Sequence, residues 1–83
     1  IQVKTITDIL FYLQKLLLDS TTDTMKKEEI TENFFIIIKH GLNRIVISDE
    51  WGNIYEYIQQ NAVNELFNNK IRFRFMDLLD LTN

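Results

Sequence analysis

Hydrophobic positions recur at intervals of three and four along most of this chain, the period of a helix with one face turned inward. Residues 5–19 place Ile6, Ile9, Leu10, Leu13 and Leu17 on one stripe. Phe11, Leu16 and Leu18 widen it, and Tyr12 adds an amphipathic edge. Asp8, Gln14 and Lys15 leave so little polar circumference that this helix is expected to pack on two sides. Residues 20–24 form a polar linker of Ser, Thr and Asp. Thr24 is the expected N-cap of the next helix, with Glu28 and Glu29 near the positive end of its dipole. That helix is predicted over 25–45, with Ile30, Phe34, Ile37, Ile38, Gly41, Leu42 and Ile45 on one face. Residues 34–38 are five β-formers in a row and could make a buried strand, but the same face continues for many residues and favours helix. Gly41 then lies inside a helix, at roughly 1 kcal/mol relative to alanine, which a close helix crossing would justify.

Residues 46–50 break the pattern. Ser48 is the expected N-cap of a third helix, with Asp49 and Glu50 suited to a first turn. The third helix is predicted over 49–68, with Ile54, Tyr57, Ile58, Ala62 and Leu66 as its stripe and Tyr55, Val63 and Phe67 flanking it. Trp51 stands in its first turn, as an anchor on the neighbouring hairpin or as an exposed partner-binding residue. Asn68-Asn69 signals a turn. The last segment, 70–81, is ambiguous at its start, because Lys70 to Phe75 alternates strictly as a strand would. Ile71, Phe75, Leu78 and Leu79 fit a helix face equally, Arg74 and Asp77 would pair at i, i+3, and no partner strand is evident elsewhere. A helix is therefore predicted.

The expected fold is all-α, with about four helices in two antiparallel hairpins, residues 5–45 and 49–81. Each hairpin has the unit length of a HEAT-type repeat in an α–α superhelix. Such units stack side by side, so one apolar edge is expected to be covered by something else. The chain starts at Ile1 instead of a methionine, and is expected to be an internal piece of one helical-repeat domain.

Composition sharpens this picture. Proline is absent and glycine occurs twice, which disfavours the many-turned sandwiches and barrels. With 46% hydrophobic and 25% charged residues the chain has an ordinary globular composition. A net charge of −3 is a poor basis for autonomous nucleic-acid binding. The absence of cysteine removes disulfides, thiolate metal sites and thiol catalysis. The longest apolar runs, 9–13 and 34–38, fall well below the roughly 20 residues of a membrane span. His40 is the only histidine, so a metal site would need carboxylates alone beside it. No phosphate loop, paired catalytic carboxylates or nucleophile motif appears. No catalytic residue, metal ligand or cofactor is therefore expected. Glu28, Glu29 and Glu32 read as a solvated helix face.

The last helix carries the most specific pattern. Lys70-Ile71-Arg72-Phe73, followed by Asp77-Leu78-Leu79-Asp80-Leu81, resembles the closing helix of the middle domain of eukaryotic translation initiation factor 4G, Arg-Ile-Arg-Phe-Met-Leu-Gln-Asp-Val-Leu-Asp-Leu. Ile38 and Gly41 resemble that family's Thr-Thr-Ile-Gly-Lys-Asp-Leu context, and residues 54–58 resemble the start of its penultimate helix. Arg74 stands where the family has methionine, Met76 where it has glutamine, and the loop before the last helix is shorter. The resemblance covers residues 32–81 and scarcely touches 1–19. It implies a cytoplasmic, non-enzymatic scaffold of HEAT-like hairpins in mRNA metabolism, translation initiation above all. The implied partners are a DEAD-box RNA helicase of the initiation factor 4A kind, whose two lobes the scaffold orients, and the remaining repeats of its own domain. Lys70, Arg72 and Arg74, with Trp51 behind them, are the expected partner-binding residues. Direct RNA contact through the same basic cluster is the alternative, with Phe73 and Phe75 as a stacking platform, although helical geometry is expected to turn both rings toward the core. A further alternative is an unrelated small helical subunit or dimerisation domain.

Overall fold

The structure, a computed structural model, describes residues 2–82. It consists of α1 (Val3–Leu18), α2 (Thr24–Ile45), α3 (Trp51–Ala62) and α4 (Asn69–Thr82). The expected all-α fold of four helices is therefore what the chain adopts, and neither strand-like run is a strand.

Local chemistry fixes the ends of the helices. After α1, Thr22 donates its hydroxyl to the Leu16 carbonyl at 2.9 Å. The Asp19 carboxylate accepts the Thr21 N–H at 2.9 Å and the Thr21 hydroxyl at 2.7 Å. These bonds hold the Asp19 carboxyl below its ordinary value and bend the chain back. Asp23, not Thr24, caps α2, accepting the Lys26 N–H at 2.8 Å. A charged acceptor one residue earlier wins this position. Ser48 does not cap α3. Its hydroxyl donates to the Ile45 carbonyl at 2.8 Å and closes α2 instead, while Glu50 precedes α3 with no side-chain cap.

The largest departure lies at the end of α3, which stops at Ala62, well short of the predicted residue 68. Asn64 causes the break, its Oδ1 taking the Leu66 N–H at 2.9 Å in an Asx turn. Leu66 is consequently thrown into solvent, 91% exposed, whereas Phe67 drops into the core. The helical spacing of Leu66 to Ala62 on paper is thus not realised.

α1 packs on α2, α3 on α4, and α2 on α4, so two hairpins meet through their second helices. The joint is aromatic. Phe34 of α2, Tyr57 of α3 and Phe75 of α4 have ring centroids 5.6–6.0 Å apart in tilted and edge-on arrangements, the geometry their quadrupoles favour. Leu10, Leu17, Ile30, Ile38, Ile45, Ile54, Ile58, Ala62, Phe67, Ile71 and Leu78 complete the core. Among the described residues three polar ones are buried with them. Thr7 and Thr31 are accommodated by donating to the Lys4 and Lys27 carbonyls, one turn back. Asn61 is the third. A Cβ on Gly41 would meet Ile45 Cδ1 at 3.2 Å, and the nearest atom of α1, Ile6 Cδ1, lies at 3.9 Å. The expected close crossing at Gly41 is thus only an ordinary approach.

Candidate interaction surface

The seam between α2 and α4 is lined by charges of opposite sign at matching spacing. Glu28 and Glu32 stand one turn apart on α2, Lys70 and Arg74 one turn apart on α4. Lys70 Nζ lies 3.3 Å from Glu28 Oε1. Arg74 makes a two-pronged contact with Glu32, Nε donating to Oε1 at 2.7 Å and Nη2 to Oε2 at 3.1 Å. Its remaining arm reaches Asp77 at 3.2 Å, and its guanidinium carbon sits 4.5 Å from the Phe35 ring centroid. The hydrogen bonds Arg74 donates to Glu32 dominate in pushing its guanidinium above its already high value. Asn68 Nδ2 donates to Glu28 at 2.9 Å and, with Lys70, holds the Glu28 carboxyl below its ordinary range.

The sequence-predicted residues therefore fall in three places. Lys70 and Arg74 share the seam, where with Glu32, Phe73 and Asp77 they line a shallow depression of about 220 Å³. Arg72 points elsewhere, since two residues along a helix is more than half a turn. It donates to Asn69 Oδ1, and its Nε is buried without a hydrogen bond. Trp51 lies at the start of α3, half-buried against the core, with its ring 5.6 Å from that of Tyr55. The two phenylalanines also part company. Phe75 is fully buried, while Phe73 is 57% exposed, which corrects the expectation that both face the core.

Glu28 and Glu32 are the residues that sequence reasoning missed. Read as a solvated face, they are the acidic half of the seam. The legible signal was the pairing of two i, i+4 sets of opposite sign. Chemically, the arrangement holds two helices together and presents an exposed aromatic ring rimmed by charge. Among the described residues no three His, Asp or Glu side chains converge to hold a metal ion. No described helix is long and apolar enough to cross a membrane.

A second depression, of about 480 Å³, lies between α1 and α2 and is lined by Ile6, Ile36, Ile37, His40, Gly41 and Arg44. His40 is exposed at its edge.

Fold and surface together define an all-α protein of two helical hairpins joined through a charged and aromatic seam. Comparison with known protein families, curated proteins and solved structures finds no match for the chain.

Proposed function

We propose that the chain is a protein-binding scaffold module of HEAT-like hairpins that acts in cytoplasmic mRNA metabolism, in translation initiation. Its partner in this reading is a DEAD-box RNA helicase of the initiation factor 4A kind, and its effect is to bias the orientation of the helicase lobes. The observation that carries the reading is the order of packing. Each hairpin closes on itself and joins the next through its second helix, so that α4, the helix resembling initiation factor 4G, forms one wall of the hairpin joint. A rigid stack of this kind can restrict two mobile lobes without catalysis, and the coupling required is only about 1–3 kcal/mol.

Direct RNA contact receives less support. Lys70 and Arg74 are matched by Glu28 and Glu32, and the core position of Phe75 leaves Phe73 as the one available ring of the proposed platform. In the scaffold reading, Lys70 and Trp51 touch the partner, and Arg72 and Arg74 hold the surface in shape. Isothermal titration against an initiation factor 4A-type helicase tests this. Binding is expected, weakened about tenfold by Lys70→Glu with helical content unchanged. A helicase that produces no heat with the chain, while its own ATP and RNA binding are intact, overturns the proposal.

A further inference from the structure

α1 has two apolar faces, and the fold uses one of them. Thr7, Leu10 and Leu17 turn inward. On the outward side Thr5, Ile9, Tyr12 and Leu16 follow one another at spacings of four, three and four, the two alternating core positions of a heptad. Ile6 and Leu13 flank this stripe on one edge, Asp8 and Lys15 on the other. The fold covers this side only in part: Ile6, Leu13 and Leu16 lean against the core, whereas the middle of the stripe is open. Ile9 is 41% and Tyr12 61% exposed, Thr5 is exposed, and Ile6, Leu13 and Leu16 are half-buried.

We propose that this stripe pairs with a second copy of the chain, the two α1 helices running antiparallel about a two-fold axis. The charge pattern selects both partner and direction. In a parallel pair each charged edge would lie against the apolar edge of the other helix. In an antiparallel pair like edges meet, so Ile6 and Leu13 face Leu13 and Ile6 of the second copy. On the other edge Asp8 faces Lys15 of the second copy, and Lys15 faces Asp8. The register that brings Ile9 onto Tyr12, and Thr5 onto Leu16, is the one that brings these charges together. A self-complementary patch is what a two-fold interface demands, and charges arranged this way set orientation more than affinity. Lys15 has no ion-pair partner among the described residues, whereas Asp8 is held by Lys4 at 3.0 Å in an exposed pair that leaves carboxylate surface free. The inference does not rest on the helicase reading, and further repeats stacked on α1 would compete with the second copy for this face.

Sedimentation equilibrium of the chain from about 10 μM to about 1 mM is the test. A monomer–dimer equilibrium is expected. Ile9→Lys should abolish it with the circular dichroism spectrum unchanged. Lys15→Asp and Asp8→Lys should each weaken it at least about tenfold, because symmetry places every new like-charge contact twice. The combined exchange should return the affinity to within about threefold of the parent. A chain that is monomeric throughout overturns the pairing and leaves the stripe to a different occupant, such as another chain or a further helix of the same polypeptide. A dimer indifferent to Ile9→Lys, or one that the combined exchange does not restore, overturns it equally.

Discussion

The hydroxyl of Tyr57 lies inside the protein beside Phe34 and Phe75 and has no hydrogen bond of good geometry, although Asn61 is close enough to oppose its shift. Burial is the larger influence and pushes the phenol up to about 12 from 10.0. A group that ionises more readily in the unfolded chain supports folding while it is neutral. Its contribution is therefore complete below pH 10 and is lost as pH rises through the folded value near 12. Tyr57→Phe removes an unsatisfied oxygen and keeps the ring in the aromatic joint. Urea unfolding should find the variant about 1 kcal/mol more stable at neutral pH and less sensitive to alkali between pH 10 and 12 than the parent. At this scale the sequence was a partial guide. It marked the large apolar core residues, Leu10, Phe34, Ile38 and Phe75 among them. It gave no warning that Thr7, Thr31 and Asn61 would join them, because a threonine becomes a core residue only once a helix supplies a carbonyl one turn back for its hydroxyl.

At the scale of the element, α4 was the hardest to read and depends most on its cap. Residues 70–75 alternate as a strand would, yet they lie in a helix. Asn68 starts that helix by accepting the Ile71 N–H at 3.0 Å, and Ile71, Phe75 and Leu78 bury one face. The two ends of α3 carried less information. Asn64 competes for backbone N–H groups from within what looked like a continuing stripe, and Ser48, a good N-cap by type, turned back to serve α2. Propensity says that such a residue will bond the backbone nearby, not in which direction. Asn68 also donates to Glu28, so one side chain both starts α4 and ties it to α2. Asn68→Ala should cost about 1–2 kcal/mol, most of it the lost cap. The pH profile should change too. A carboxyl held below its ordinary value of 4.5 supports folding above that pH and loses its contribution as pH falls through the depressed folded value. Asn68 is the leading cause of the Glu28 shift, so thermal unfolding of Asn68→Ala should fall less steeply with acid than that of the parent. An equally steep decline would mean that Glu28 gains nothing from the bond.

For the whole molecule, the question is what makes two hairpins one body, and the answer is the α2–α4 joint. The aromatic trio supplies apolar burial there, and the ion pairs beside it set how the helices lie. The two hairpins were legible because their helical periods were. The joint was not, because a run of glutamates looks like a solvated face until the cations opposite are placed one turn apart. Arg74 and Glu32 permit a direct measurement of that joint. Their side chains are 38% and 37% exposed, between a surface pair worth little and a buried pair dominated by desolvation. The contact is two-pronged, which adds geometry to charge. Arg74→Glu would gather Glu32, the new carboxylate and Asp77 at one point, and Glu32→Arg would set two guanidinium groups face to face. Each should cost about 1–2 kcal/mol. The exchange of both residues should recover only part of the combined loss, giving a coupling of about 1 kcal/mol in a double-mutant cycle. Recovery is incomplete because the exchanged pair lacks the stacking of Arg74 on Phe35 and sets the new carboxylate beside Asp77. Chemical denaturation of the four proteins supplies the cycle. Strictly additive losses would mean that the aromatic trio joins the hairpins unaided and that the charged rim beside Phe73 is free to serve a partner instead of the fold.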